Sequence, residues 1–264
     1  MSAGGEARVK KRDGQLLTID GGGGHGIPAM QLAFDTAIEA AVDTGMSVTA
    51  ITNLGHTGRH GAFAELAAEA GMLSLLIGGG NRAVWRQVAP HGGAEAKLPT
   101  NPWCLGLPGG SDGPFILDFA TSTVAGGWIY AAESAGAQLP EGCLIDAYGN
   151  PTTDPKAYFE GGAILPAAGQ KGYALALAAE LIAEALIGPV ATEANWLLIM
   201  VDTTRMTGGH TLQERAEVIL ADMRGCPPSR GFDRVEVPGE RERRRTGAGD
   251  AVDPRRRLQD RLDQ

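Results

Sequence analysis

Several features are scarce or absent in this sequence, and each absence excludes a class of protein. Only three cysteines occur among 264 residues, at Cys104, Cys143 and Cys226, and no two form a Cys-x-x-Cys pair. This usage excludes a disulfide-stapled scaffold and favours structural thiols in a reducing compartment. Residues 1–13 lack the apolar segment of a signal peptide. The most apolar helical stretch, 173–187, is too short to span a bilayer, so we expect a cytoplasmic protein with no membrane partner.

Aromatic residues and positive charge are also in short supply. Aromatic residues make up 5% of the chain, and 23 basic residues face 31 acidic ones. The resulting net charge of −8 disfavours non-specific binding to nucleic acid. Two basic runs, 241–245 and 255–257, lack aromatic neighbours for base stacking. We therefore interpret them as solvated helix and tail surfaces and expect no nucleic-acid partner.

Short apolar strands alternate with helical patterns along most of the chain. The predicted strands are 16–20, 46–51, 73–77, 115–119 and 196–201, and the predicted helices are 29–44, 62–70, 173–187 and 213–224. This alternation is typical of an α/β protein with helices packed on a sheet. We divide the sequence into a polar N-terminal extension (1–13), one domain (14–245) and a charged C-terminal tail (246–264).

A histidine flanked by glycines follows the predicted strand 46–51. His56 stands between Gly55 and Gly58, on the loop expected at the carboxyl end of that strand. Ligands collect at this edge of an α/β sheet, and histidine exchanges a proton near neutral pH. His56 is therefore a candidate catalytic acid or base, with a structural loop histidine as the alternative.

Two further motifs match known sites only formally. Gly21-x-Gly23-x-x-Gly26 lies between a strand and a helix, as in the dinucleotide fingerprint, but the next strand ends in Thr52-Asn53 and not in an acidic residue. A Rossmann reductase remains an alternative. His56 and His60 have the spacing of a zinc pair on a helix, but the intervening glycines disfavour a helix there, and we expect no metal.

The remaining motifs are weak singly but specific as an ordered set. They are Asn53-x-x-His56-x-Gly58, Ala89-Pro90-His91-Gly92-Gly93, Thr100-Asn101-Pro102, Leu117-Asp118-Phe119-Ala120-Thr121-Ser122, Asp146-x-x-Gly149, Gly169-Gln170-Lys171-Gly172 and Val237-Pro238-Gly239-Glu240. In this order and spacing, residues 10–245 resemble the type-2 malate/L-lactate dehydrogenase family of NAD(P)-dependent oxidoreductases. The Gly55-His56-x-Gly58-Arg59 variant is most similar to its hydroxycarboxylate dehydrogenase branch.

The resemblance implies a fold, a cofactor and partners. The fold is α/β with a mixed sheet flanked by helices, distinct from the Rossmann fold. The cofactor is NAD or NADP, the substrate is a small 2-hydroxy or 2-oxo acid, and the chain forms a homodimer. The reaction is hydride transfer between the two small molecules.

The resemblance also implies roles for individual residues. His56 is the general acid/base that takes the hydroxyl proton as hydride leaves. Asn53 fixes the imidazole or the loop, and Arg59 meets the substrate carboxylate; a turn-capping asparagine and a surface arginine are the alternatives. The implied cofactor-binding residues are Gly79, Gly80, Asp118, Phe119, Ala120, Thr121, Ser122, Gln170, Lys171, Gly239 and Glu240. The alternatives to these cofactor-binding roles are an ordinary turn at 78–81, helix capping by Thr121 or Ser122, and a surface position for Lys171.

One departure from the family concerns the start of the chain. Relatives carry an amino-terminal helical portion with a Ser-His-Gly-x-x-Arg type motif that contributes to substrate and cofactor binding, and residues 1–13 contain nothing like it. We therefore expect either a fragment or mis-started reading frame, or a chain that has lost part of its site. The alternative function is a catalytically impaired remnant that folds, dimerises and binds at most a nucleotide.

Overall fold

The computed structural model describes residues 5–207 and 210–247. Within them, the chain divides into two compact units, one made of 5–77, 103–118 and 195–247 and the other of 78–102 and 119–194. The sequence predicted one domain over 14–245. Because the chain passes from one unit to the other repeatedly, no single linker marks the division in the sequence. The predicted tail 246–264 lies outside the described residues from residue 248 onward.

The first unit is built on a seven-stranded sheet of order β1-β2-β3-β10-β4-β5-β6. The strands are β1 (Arg8–Asp13), β2 (Leu16–Asp20), β3 (Met46–Leu54), β4 (Met72–Gly80), β5 (Trp103–Leu107), β6 (Phe115–Phe119) and β10 (Ala194–Asp202). β1 pairs antiparallel with β2, β2 pairs parallel with β3, and β4 pairs antiparallel with β5. The sheet is therefore mixed, which confirms the predicted fold class.

The helices of this unit are α1 (Gly26–Thr44), α2 (Gly61–Glu69), α6 (Thr203–Thr207), α7 (His210–Arg224) and α8 (Glu240–Gly247). α1 buries Ala29, Ala33 and Ala37, whose small side chains allow the helix to approach its neighbours closely. The helix begins three residues before its predicted start, because Pro28 lies in the first turn, where its missing N–H is tolerated. It ends at Gly45, which has a φ of 94° and donates its N–H to Ala41 O.

The second unit contains α3 (Gly126–Ala135), α4 (Lys156–Phe159), α5 (Gln170–Glu180), a π-helical turn (Leu181–Ile187) and a small antiparallel sheet of order β8-β7-β9. The strands β7 (Leu144–Ile145), β8 (Pro151–Thr152) and β9 (Ala163–Ile164) are too short to show a period in the sequence. Val88, Ile129, Leu144, Ile164 and Ala176 form its apolar core.

Several predicted boundaries are corrected by the structure. Gly78–Gly80 continue strand β4 and do not form a turn. The predicted helix 173–187 starts at Gln170 and changes to π-helical geometry at Leu181. Residues 8–13 of the predicted N-terminal extension form the edge strand β1, with every residue exposed. Of the helices in the described ranges, none combines the length and apolar character needed to cross a membrane.

Candidate active site

His56 lies on a loop whose backbone is fixed by the glycine-rich turn before α1. Strand β3 ends at Leu54, and the side chain of His56, two residues later, is exposed. The amide of Gly26 donates to His56 O at 3.0 Å, and the amide of Gly55 donates to Gly24 O at 2.8 Å. The peptide that carries the imidazole is therefore held from both sides of the histidine.

The other amides of the glycine-rich turn are also engaged within the protein. Gly21 N donates to Thr52 O and Gly23 N to Asn53 O, each at 2.8 Å. Gly22 N donates to the Asp20 carboxylate at 3.0 Å. A dinucleotide fingerprint needs amides that point at a pyrophosphate. The amides of this turn instead donate to the end of β3 and to Asp20, which argues against the Rossmann alternative.

Asn53 fixes this turn by bonding to Asp20 and not to the imidazole of His56. It adopts a left-handed conformation, with a φ of 55°, and its Nδ2 donates to Asp20 Oδ1 at 2.9 Å. The Gly22 amide and Asn53 together hold the pKa of Asp20 below its ordinary value. Asp20 is thus a charged anchor for the loops after β2 and β3.

His60, which the sequence leaves as a loop residue, is buried in the first unit. Its Nε2 lies 2.7 Å from Oγ1 of Thr57, and its Nδ1 lies 3.7 Å from Oδ1 of Asp118. The other oxygen of Asp118 accepts the Gly61 amide at the start of α2, at 2.7 Å. Burial alone would raise the pKa of Asp118, but His60, the Gly61 amide and Arg59 hold it below its ordinary value. Asp118 therefore contacts the His56 loop region in this unit.

The guanidinium of Arg59 forms a two-pronged ion pair. NH1 and NH2 donate to the two carboxylate oxygens of Glu65 at 3.3 and 2.8 Å. This is the fork geometry with which arginine binds a carboxylate. The predicted contact with a substrate carboxylate would require exchange with Glu65.

In the second unit, backbone bonds join two of the predicted cofactor segments. Thr121 O accepts the amide of Ala167, and the amide of Thr123 donates to Leu165 O, both at 2.9 Å. The hydroxyls of Thr121 and Ser122 donate to Thr100 O and Val124 O. Neither caps α3, whose N-cap has no side-chain bond. The segment 119–122 therefore runs beside the residues that lead into Gln170 and Lys171.

A cavity of about 590 Å³ opens between these segments in the second unit. Thr123, Ala168 and Gly169, which directly follow or precede the predicted cofactor residues, line it together with His91 and Tyr148. Helix α5 starts at Gln170 with no side-chain cap, and Gln170 and Lys171 are exposed in its first turn. The amides of Gly172 and Tyr173 donate to Ala167 O and Gly169 O, so the exposed ammonium group of Lys171 is what this helix start offers to a phosphate.

Gly79 and Gly80 are buried, and each is closely packed. A Cβ on Gly79 would lie 2.4 Å from the Cβ of Ala183, and one on Gly80 would lie 2.9 Å from Cγ of Pro99. Close packing thus requires glycine at both positions, whether or not a cofactor approaches. The Gly80 amide donates to Glu180 at 3.2 Å.

The predicted residues Gly239 and Glu240 lie in the first unit, at the start of α8. Glu240 is buried and accepts the Nε of Arg224 at 2.5 Å and the amide of Val237 at 3.1 Å. Burial opposes ionisation here, but Arg224 and the Val237 amide hold the pKa of Glu240 below its ordinary value. The carboxylate of Glu240 is therefore charged, and both of its oxygens accept hydrogen bonds from this unit.

Comparison with known proteins identifies the family. A family model described as malate/L-lactate dehydrogenase matches residues 1–251. The chain is 35% identical to an L-lactate dehydrogenase of Cupriavidus necator, over 90% of this chain and 72% of that protein. It is 34% identical to a Δ1-pyrroline-2-carboxylate/Δ1-piperideine-2-carboxylate reductase of Pseudomonas putida, over 86% and 68% of the two chains.

The fold agrees with the same family. The solved sulfolactate dehydrogenase of Methanocaldococcus jannaschii superposes with a TM-score of 0.81 at 31% identity, covering 97% of this chain and 76% of that one. The chain belongs to the malate/L-lactate dehydrogenase family. It is accordingly an oxidoreductase that works with a nicotinamide nucleotide. The family resemblance drawn from the ordered motifs is confirmed.

For a member of this family, the structure adds two polar residues that the sequence did not single out for a role. His60 lies just before α2 and close to His56 in the sequence, but its partner Asp118 lies far along the chain. Glu180 lies in the apolar helical stretch predicted over 173–187, and it is bonded to Asn101 and Gly80. A buried histidine or glutamate has no sequence signal of its own, because burial depends on which elements pack over it.

Proposed function

We propose that this chain oxidises small 2-hydroxy acids, or reduces the corresponding 2-oxo acids, with His56 as the general acid/base. The observation that carries the proposal is the exposed imidazole of His56 on a loop fixed by the Gly26 and Gly55 backbone bonds. In oxidation, a ring nitrogen of His56 takes the hydroxyl proton of the substrate; in reduction it returns that proton to the forming alkoxide. Fixed geometry favours this role, because a displaced acid/base can cost orders of magnitude in rate.

The residues of the second unit support a place for the cofactor. The cavity beside Gly169 is lined partly by glycines, so backbone surfaces are accessible to a ligand. The exposed ammonium group of Lys171 supplies positive charge for a phosphate, and Gln170 supplies a side-chain amide. We propose that these residues hold part of NAD or NADP, with 119–122 lining it. When bound, the nicotinamide supplies the hydride acceptor or donor.

The substrate class follows from the relatives and from Arg59. The relative in C. necator acts on L-lactate by its name, and the relative in P. putida reduces cyclic imino acids by its name. Both substrates carry a carboxylate next to the reacting carbon, which the Arg59 fork would bind after leaving Glu65. The sequence identities of this chain to the two relatives are nearly equal, so cyclic imine reduction is the second candidate function.

We also propose that the protein is a cytoplasmic homodimer. Leu177, Leu181 and Leu186 are exposed apolar side chains in the second unit, which a second copy would bury. The cytoplasmic location is proposed from the small number of cysteines and their spacing, which favour a reducing compartment.

Titration with NADH and with NADPH, followed by nicotinamide fluorescence, tests the cofactor half of the proposal. Lys171→Ala should weaken binding about tenfold, the effect of losing one charge-assisted contact of about 1.4 kcal/mol. Lys156→Ala, an exposed lysine in α4, is the matched control and should bind normally. The tighter nucleotide identifies the cofactor, and no saturable binding of either would overturn the proposal.

Turnover tests the catalytic half. The panel is L-malate, L-lactate and Δ1-piperideine-2-carboxylate. His56→Ala should lower kcat by about 10²–10⁴-fold and leave nucleotide binding unchanged. If the unmodified chain binds nucleotide but turns over none of the panel, the remnant alternative is favoured. If His56→Ala retains full kcat, the proton-transfer role belongs to another group.

A further inference from the structure

Three side chains in the first unit are arranged in the order of a hydrolase triad. Asp118, His60 and Thr57 lie in line, with Thr57 Oγ1 2.7 Å from His60 Nε2 and Asp118 Oδ1 3.7 Å from His60 Nδ1. The ring of Trp196 packs against the imidazole, with the centroids 4.5 Å apart. In a hydrolase, such an arrangement activates the hydroxyl for attack on a substrate.

Thr57 cannot serve as a nucleophile here. The residue is 5% exposed, and its methyl group faces the Cα of Gly26, where an added Cβ would meet it at 2.7 Å. A substrate has no access to the hydroxyl. The arrangement therefore acts on the protein itself, and the group next to Thr57 in the chain is His56.

We infer that His60 and Asp118 are positioning residues that hold the His56 loop through Thr57. This inference rests on the proposed role of His56. A proton on Nδ1 faces the carboxylate of Asp118, which leaves Nε2 to accept the hydroxyl hydrogen of Thr57. Thr57 is thereby tied to β6, while Gly26 N holds the carbonyl of His56 from the other side at 3.0 Å.

Two further contacts keep the imidazole of His60 in a single orientation. The Gly61 amide donates to Asp118 Oδ2, so the carboxylate has one oxygen left for His60. Trp196, on strand β10 next to β3, packs against the His60 ring, and the two ring planes are tilted by 51°. His60 is 8% exposed, so water does not compete effectively for its nitrogens. Histidine suits this position because its two nitrogens reach partners on opposite edges of the ring.

The experiment compares His60→Leu, which removes both nitrogens, with His60→Gln, which keeps a polar group able to reach Thr57. His25→Leu is the matched control, because His25 is an exposed histidine in the neighbouring turn. The readouts are kcat and KM for the panel substrate that the unmodified protein turns over, the affinity for NADH or NADPH, and hydrogen exchange of residues 55–61 by mass spectrometry.

We expect His60→Leu to lower kcat about ten- to a hundredfold with little change in nucleotide affinity, because the acid/base is misplaced and the cofactor site is intact. Exchange of 55–61 should accelerate, and His60→Gln should recover most of both effects. Unchanged exchange in His60→Leu would overturn the inference even in a chain without turnover. Equal losses in His60→Leu and His60→Gln, or a loss confined to KM, would also overturn it. Failure of the proposed function itself is separate: it appears as absent turnover in the unmodified protein.

Discussion

The carboxyl group of Glu180 is buried in the second unit with one oxygen that has no hydrogen-bond partner among the described residues. Its Oε1 accepts Asn101 Nδ2 at 2.6 Å and the Gly80 amide, while Oε2 and the side-chain oxygen of Asn101 accept no hydrogen bond from the described residues. The nearest cation, Arg82, is 3.8 Å from Oε2 and is itself bound to Glu184. Burial raises the pKa of Glu180 despite the bonds from Asn101 and Gly80.

This environment predicts that Glu180→Gln stabilises the protein at alkaline pH. Because the pKa is raised on folding, the stability contributed by protonated Glu180 is complete below the ordinary value of 4.5 and is lost as pH rises through the folded value. Glutamine carries no charge, and its side-chain oxygen can still accept from Asn101 Nδ2 and the Gly80 amide. The free energy of unfolding at pH 8, measured with urea, should rise by about 1 kcal/mol.

The control for Glu180→Gln is Glu184→Gln, one turn further along. Glu184 forms a partly exposed ion pair with Arg82, so its loss should change stability by about 0–1 kcal/mol at most and destabilise if anything. Equal destabilisation by Glu180→Gln at pH 5 and pH 8 would mean that the fold requires a charged carboxylate.

Single residues also mark the limit of prediction from sequence. His56 could be singled out because glycines and a preceding strand surround it in the chain. His60 and Glu180 could not, because their partners Asp118 and Asn101 lie far away in the sequence. Arg59 illustrates the same limit, since Glu65 occupies the fork that the sequence offered to a substrate.

At the scale of elements, the long periodic segments were predictable and their ends were not. β6 was predicted with its observed bounds, and α7 was predicted three residues short. β3 extends to Leu54, beyond the apolar run, and includes Asn53 in a left-handed backbone conformation. The two-residue strands of the small sheet and the exposed strand β1 were not predicted, since neither shows an apolar period.

The contact between the glycine-rich turn and the His56 loop gives a prediction for α1. A Cβ at Gly26 would lie 2.3 Å from Gly55 O and 2.8 Å from His56 O. Gly26→Ala should therefore displace the loop, destabilise the protein by about 1–3 kcal/mol and lower kcat. Chemical denaturation and steady-state kinetics measure the two effects.

Gly127→Ala is the matched control, because it makes the same substitution in the first turn of α3, where a Cβ has no neighbour within 4 Å. It should be neutral or stabilising by up to about 1 kcal/mol. If the two variants behave alike, the close approach at Gly26 has no energetic consequence.

At the scale of the whole molecule, the chain is a single sequence that folds into two discontinuous units. The first carries His56, Asn53, Arg59, Asp118, Gly239 and Glu240, and the second carries the other predicted site residues. The sequence predicted one domain over 14–245, and both units draw their segments from within that range.

The predicted homodimer is testable at this scale. Light scattering after size exclusion should give a mass near twice 27.4 kDa at micromolar concentration. A mass of one chain at every concentration would contradict the dimer. The same sample with saturating nucleotide is the comparison. Nucleotide that binds only the folded protein should raise the melting temperature, and it need not change the measured mass.

The sequence by itself determined the α/β class and the family, and it singled out His56 as a candidate, because these depend on local periodicity and on ordered short motifs. Only the tertiary structure decided that the glycine-rich turn holds the His56 loop, that His60 links Thr57 to Asp118 and that Glu180 is buried against Asn101. Each of these contacts joins residues from different elements. They depend on the order of strands in the sheet and on the packing of helices, which no stretch of sequence contains.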